Sequence, residues 1–240
     1  DNDFGNNMPE ELNIWRSAHS NITLQDVKVE KQTEAGLPIE VTYHLDDIDL
    51  PYTLAYVIQN EGSIRVTAKL DLKAKKLPEL PRFGMRMQLP AGFENLEYYG
   101  RGPEENYADR NSAAFIGIYK AQVDSLKMPY IRPQEYGYHT DTRWLKLTDA
   151  GGNGIEVEGL QPLSFSALPI KTEALDPGET KKNQHPTDLR YGDETTLHID
   201  WAQRGLGGDT SWGAYPHSQY LLTKDGYTYS YVLKLIKPER

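Results

Sequence analysis

From Ile22 onward the chain alternates apolar and polar residues with a period of two, and this alternation limits its possible folds more than any other feature. A strand turns successive side chains to opposite faces, so such a pattern buries one face of a sheet and leaves the other in water. Ile39, Val41 and Tyr43 follow it, as do Tyr52, Leu54, Tyr56 and Ile58. Asn60, Glu61 and Gly62 then read as a hairpin turn into Ile64, Val66, Ala68, Leu70 and Leu72. Further strands are expected at 83–89, 94–99, 114–120, 143–148, 154–159, 163–168, 195–201 and 227–235. Turn residues at Pro90 to Gly92, Gly100 to Pro103, Gly151 to Gly154 and Asp225 to Gly226 separate them at the spacing of a large sandwich. One or two short helices are expected. Residues 1–11 read as loop, and a helix follows with Pro9 in its first turn and Leu12 and Trp15 on one face. A second lies around Lys171 to Leu175, and the polar run from Pro177 to Arg190 reads as a surface loop. No repeat, low-complexity tract or linker divides residues 1–240, so the expectation is one all-β, antiparallel domain.

A length of 240 residues suits such a unit, because sandwiches reach this size as single domains. Hydrophobic residues form only 38% of the chain; the 16 tyrosines partly compensate, each burying a ring while keeping a polar tip for water or a sugar hydroxyl. A net charge of -9 repels nucleic-acid phosphates, and the densest basic run, Lys73 to Lys76, is broken by Ala74. Nucleic acid is therefore not an expected partner. Cysteine is absent, which excludes a disulfide framework, a thiolate nucleophile and a Cys-based zinc site. No apolar stretch nears the roughly 18 residues that cross a bilayer, so no membrane partner is expected either. The chain begins with Asp1 and shows no signal peptide, and it reads as a fragment or processed product. Its compartment, cytoplasmic or periplasmic for a soluble parent, is left to the parent's own N-terminus.

Three segments are too unusual for ordinary connections. Tyr98 to Arg110 (YYGRGPEENYADR) packs glycines, a proline and charges into one turn. Glu105, Asn106, Asp109 and Arg110 there are candidates for pinning a loop by hydrogen bonds, with a sugar-facing or subunit-facing surface as the alternative. Pro129 to Trp144 contains Glu135, His139, Asp141 and Arg143, which stand either as an acid–base group or as structural and interface residues. A metal site is disfavoured there because a second His at ligand spacing is missing. Gly205 to Gly213 (GLGGDTSWG) lacks the Lys-Ser/Thr ending of a phosphate-binding loop. It carries Asp209, a further loop-scaffolding candidate, and sets Trp212 on a turn, either as a platform for the apolar face of a sugar or as a plug anchored in the core.

These segments, in this order, resemble the last domain of glycoside hydrolase family 2 β-galactosidases of the bacterial lac type, known also as the β-galactosidase small chain. The opening DNDFG (1–5), PYIRPQEYG with TRWL (129–137 and 142–145), His185-Pro186 and the closing YTYSYVLKL (227–235) extend the likeness over nearly the whole chain. The resemblance implies a large antiparallel β-supersandwich similar to galactose mutarotase. It implies that Trp212 lines the galactoside pocket, and that Gly5 is the hinge of a mobile active-site loop within a segment, 1–21, of loop and short helix. It also implies strands upstream of Asp1, whose absence would leave an uncovered edge, and a preceding TIM barrel that holds both catalytic glutamates.

No catalytic residue or metal ligand is therefore expected among these 240 residues. No cofactor is expected in this domain, while the parent is expected to use Mg2+ and Na+ or K+. The implied partners are a galactoside, the barrel-containing remainder of the chain and further copies of the parent. The leading expectation is an accessory domain, inactive alone, that completes the galactoside site of a hydrolase. The alternatives are a stand-alone carbohydrate-binding module and a mutarotase-like epimerase using His139, His185 or Glu135.

Overall fold

The computed structural model describes residues 2–176, 178, 184–210 and 212–238. Three short helices, α1 (Asn2–Gly5), α2 (Met8–Glu11) and α3 (Ile14–Ala18), precede eleven strands. The strands are β1 (Ile22–Val29), β2 (Leu37–Leu45), β3 (Leu50–Ile58), β4 (Ile64–Asp71), β5 (Arg82–Leu89), β6 (Asn95–Gly102), β7 (Phe115–Gln122), β8 (His139–Thr148), β9 (Gly154–Leu168), β10 (Thr195–Gln203) and β11 (Gly226–Ile236). A fourth helix, α4 (Thr172–Leu175), falls where the second helix was expected.

Every strand pairing is antiparallel, and the hydrogen-bonded order is β1-β2-β3-β4-β11-β9-β8-β6-β7, with β10 joined to β9 and β5 joined to β10. The long β9 belongs to two layers. Its first part, Gly154–Gly159, pairs with β11, and residues 164–168 pair with β10. The separate strands expected at 154–159 and 163–168 are thus one strand with a bend, where a Cβ on Gly159 would lie 2.3 Å from the Gln161 carbonyl.

The second layer, β10 and β5, lies over β11. Phe83 on β5 meets the rings of Tyr227 and Tyr229 at centroid distances of 5.4 and 5.5 Å, and Tyr231 donates its hydroxyl to Met85 Sδ. Between the layers Leu145, Leu147, Val157, Phe165, Leu197 and Ile199 are completely buried. Burial of each such side chain contributes about 1.5–3 kcal/mol. Tyrosines complete this core because their hydroxyls find partners: Tyr229 donates to the Ile199 carbonyl at 2.9 Å, and Tyr227 accepts from the Lys224 amide at 2.9 Å.

The inner face of the larger layer continues outward in register. One row runs Leu24, Tyr43, Tyr52, Leu70, Tyr227, and the next runs Val27, Val41, Leu54, Ala68, Tyr229. A bulge between Leu24 and Asp26 keeps both β1 residues on this side.

The N-terminal segment departs from expectation. Residues 2–11 form two helical turns, so the described residues hold four short α-helices rather than one or two. Asn7, with a φ of 63°, turns the chain between α1 and α2, and Pro9 sits in the first turn of α2. Single turns this short draw their stability from what they pack on; here Leu12, Trp15 and Ala18 join the main core. The Tyr98–Arg110 segment begins as strand, since β6 runs to Gly102, and β8 starts at His139 inside the Pro129–Trp144 segment. The expected loop from Pro177 to Arg190 falls partly outside the described residues, which include a 3-10 turn at Pro186–Asp188.

Candidate functional site

The glycine-rich loop after β10 and the N-terminal helices, about two hundred residues apart in sequence, form one surface. Arg204, 4% exposed, leaves β10 and reaches Asp3 at 3.4 Å and Glu79 at 3.0 Å. Burial raises the Asp3 carboxyl above its ordinary range even with the Arg204 charge beside it. Beyond Arg204 the loop doubles back through Gly207, Gly208 and Gly213, with φ values of 65°, 88° and 79° that residues with a Cβ rarely adopt. Asn2 Nδ2 donates to the carbonyls of Leu206 at 3.0 Å and Ala214 at 2.9 Å, closing the loop's two arms on α1. Gly5 rests on Gly213: a Cβ on Gly213 would lie 2.3 Å from the Gly5 carbonyl carbon, and one on Gly5 would lie 2.9 Å from Gly213 Cα. Gly5 itself belongs to α1 in this conformation.

At the loop's tip Trp212 is 90% exposed, which rules out the core plug. Its amide donates to Thr210 Oγ1 at 3.3 Å, while the indole projects into solvent. Asp209 pairs with His217 at 2.6 Å across the loop, and that hydrogen bond raises the His217 imidazole above its ordinary range.

The Tyr98–Arg110 corner supports this loop from below. Asp109 Oδ2 accepts from the Gly207 amide at 2.8 Å, and Gly205 leaves the room, since a Cβ there would lie 2.6 Å from the same oxygen. Glu105 accepts from the Gly137 amide at 2.8 Å, from Arg110 at 2.9 Å and from the Tyr130 hydroxyl, which ties the corner to the next segment. Asn106 donates to the carbonyls of Arg101 and Glu104 and accepts from the amide and hydroxyl of Thr140 at 2.9 and 2.7 Å. Arg110 also lies over the Tyr107 ring, which stacks on Tyr138 at 5.6 Å.

Glu135, His139, Asp141 and Arg143 do not assemble. Each side chain has a different partner. Glu135 precedes β8, and inside β8 register shifts between His139 and Thr142 and between Thr142 and Trp144, with Asp141 at a φ of 53°, break the alternation that would set His139, Asp141 and Arg143 on one face. Asp141 pairs with Arg101, and Arg143 lies over the Tyr99 ring at 5.4 Å. His139 is completely buried, its Nδ1 shared by the Tyr98 hydroxyl and the Arg101 carbonyl, both at 3.2 Å. Burial pushes its imidazole down to about 4, so it stays neutral at pH 7.

Glu135 joins a network that the sequence pattern did not reveal. It pairs with Arg82, whose Nε lies 3.0 Å from Asp200 and whose Nη1 lies 3.2 Å from His198 Nδ1. The Tyr138 hydroxyl donates to Asp200 at 3.1 Å. Burial would raise Glu135, but the Arg82 charge and hydrogen bond, together with His198, outweigh it and hold the carboxyl below its ordinary range. Asp200, completely buried, shares that guanidinium with Glu135, and its burial pushes it up to about 7. An open cleft of about 340 Å³ lies between α1–α3 and this region, with Phe4, Trp15, Arg16 and Glu135 in its walls. Among the described residues no three His, Asp or Glu converge as metal ligands.

The whole is a large antiparallel β-sandwich that displays an indole on a braced, glycine-rich loop. Residues 1–233 match the model of the family described as β-galactosidase small chain, and the chain belongs to that family. It is 34% identical over 235 residues to a β-galactosidase of Priestia megaterium, covering 98% of this chain and 22% of the relative. A β-galactosidase of Streptococcus thermophilus is likewise 34% identical over 241 residues, with the same two coverages. The chain thus spans about a fifth of the length of these relatives. Among solved structures, an α-galactosidase from Lactobacillus brevis is similar over 89% of this chain and 27% of its own, at 8% identity and a TM-score of 0.45.

Proposed function

We propose that the chain is the C-terminal domain of a glycoside hydrolase family 2 β-galactosidase of the lac type, supplying one wall of the galactoside site without the catalytic carboxylates. The observation that carries this reading is the 90% exposed Trp212 on a loop held by Asn2, Gly5 and Asp109. An indole held bare in water costs solvation, and a pyranose laid on it through its apolar C–H face removes that cost while its hydroxyls stay free for polar partners. The N-terminal segment through Gly5, packed on the same loop, acts as the mobile cover that shields the bound sugar from water.

Acid–base and nucleophilic work falls to the parent's barrel. Retaining glycosidases use two carboxylates about 5 Å apart facing one sugar. Near Trp212 the carboxylates are engaged otherwise: Asp209 with His217, Asp3 with Arg204, and Asp109 with the Gly207 amide. The reading places the Mg2+ and Na+ or K+ of the parent outside this domain, and no step here runs through them. The parent is taken to be a homo-oligomer. As for membranes, no helix of the described residues is long and apolar enough to cross one.

The test is Trp212→Ala in the parent enzyme, assayed on a chromogenic β-galactoside. Loss of the stacking surface should weaken galactoside binding by about 1–3 kcal/mol, seen mainly as a raised KM. Unchanged kinetics would remove Trp212 from the site. Tight galactose binding by residues 1–240 alone would favour a stand-alone binding module instead.

A further inference from the structure

The backbone bonds of the glycine-rich loop fix its stem and leave the aim of its tip to side chains. From the base upward, Gly205 donates its amide to the Tyr220 carbonyl at 2.9 Å, Gly207 donates to Asp109 at 2.8 Å, and Gly208 donates to the Ala214 carbonyl at 3.3 Å. Asn2 holds the Leu206 and Ala214 carbonyls from the side. Beyond Gly208 and Ala214 comes the tip, with its exposed indole. Glycines with φ values of 65° and 88° lead into the tip, and one with a φ of 79° leads out of it. Such a joint sets the direction of the following residue only weakly, because glycine has many backbone conformations open to it. Asp209 is the first residue beyond the joint, and its carboxylate lies 2.6 Å from His217 Nε2 on the returning arm.

We propose that His217 is a positioning residue for the galactoside site: it holds Asp209, and through Asp209 it aims the Trp212 indole at the sugar. The proposal rests on the reading of Trp212 above and deepens it. Both partners of the pair are mostly exposed, with 60% and 61% of their side chains in water, so the pair does little for the stability of the whole fold. Its leverage is local. It ties together the two ends of the stretch that carries Trp212, and a closed stretch has fewer conformations than an open one. The charged groups that face the imidazole are Asp209 from the opposite arm and Asp109 from the corner beneath. The hydrogen bond to Asp209, and then the charges of Asp209 and Asp109, raise His217 above its ordinary value. The pair is therefore ionic at mildly acid pH and gives up its charge as pH climbs through the raised value. A neutral imidazole still donates from Nε2, but the bond loses the strengthening that charge supplies.

Steady-state kinetics of the parent enzyme on a chromogenic β-galactoside test this. His217→Ala should raise KM by about two- to fivefold and leave kcat nearly as it was, the range open to an exposed pair. Asp209→Ala should match it, and the double variant should be no worse than either, since the same bond is lost in all three. In a Trp212→Ala background His217→Ala should add nothing. His217→Gln keeps a donor for Asp209 without the charge and should recover part of the KM. The gap between His217→Gln and the wild-type enzyme should be widest near about pH 6 and should close toward about pH 9. A gap constant with pH would overturn the proposal, and this comparison holds even where the Ala variants fold poorly. A KM rise that is as large in the Trp212→Ala background would also overturn it, because His217 would then act without the indole. A raised KM in Trp212→Ala beside wild-type KM in His217→Ala would remove His217 and leave the site reading standing. Unchanged kinetics in Trp212→Ala itself would remove both.

Discussion

Replacing Asp200 by Asn should change how stability depends on pH in a direction fixed by the buried network. Asp200 is completely buried beside Arg82, a guanidinium it shares with Glu135, and burial pushes its carboxyl up to about 7. In an unfolded chain the same group titrates near about 3.9. Between those values the unfolded state has released a proton that the folded state keeps, so each rise of one pH unit lowers stability by about 1.4 kcal/mol. The contribution is complete below the unfolded value and is lost as pH climbs through the folded one. From about pH 5.5 to about pH 8 the loss from this group comes to about 2 kcal/mol. Asn keeps the shape and does not titrate. Gly84, where a Cβ would lie 1.9 Å from Asp200 Oδ1, shows how closely the site is fitted, so the variant pays a steric and pairing cost that is the same at every pH. Urea unfolding of both proteins across this range gives the difference in stability, in which other titrating groups largely cancel. That difference should move in favour of the Asn variant by about 2 kcal/mol as pH rises. A difference constant with pH would refute the account of Asp200 as an acid protonated in the fold below neutrality.

Two further outcomes follow from the loops. Glu105→Ala strips the acceptor from the Gly137 amide, Arg110 and the Tyr130 hydroxyl and should lower stability by about 3 kcal/mol in urea unfolding, with Glu105→Gln intermediate. Gly213→Ala places a Cβ against the Gly5 backbone at a φ of 79° and should cost the docking of the N-terminal segment about 1–3 kcal/mol. Exchange of the amides around 2–6 should then quicken while those of β4 and β11 stay as they were.

The strands were legible because the period of two runs through each with few exceptions, and the core rows Leu54, Ala68, Tyr229 and Leu70, Tyr227 are its direct product. From sequence the bend in β9 reads as a gap between two strands, because Gly159 and Pro162 look like turn residues when the second layer that needs the bend is out of view. Helix α1 leaves no signal of its own and α2 only Pro9 in its first turn, since what holds them is Asn2 on Leu206 and Ala214, Gly5 on Gly213, and Leu12 in the core. At the candidate site, the crowding of glycine and charge marked where Asp109, Asp209 and Trp212 lie, but local pattern does not say whether an indole points inward or out. The contacts of Arg204 with Asp3 and of Arg82 with Glu135 and Asp200 join residues far apart in sequence. Their geometry exists only once β5, β10 and the intervening loops have packed.

The most direct test of the central claim is hydrolysis of a chromogenic β-galactoside by residues 1–240 alone and after mixing with the barrel-containing remainder of the parent. The account predicts no turnover by the chain alone and turnover in the mixture, because this domain supplies a wall of the site and the barrel supplies the carboxylates. Turnover by residues 1–240 alone would contradict it, and would mean that a carboxylate pair within this domain faces the sugar.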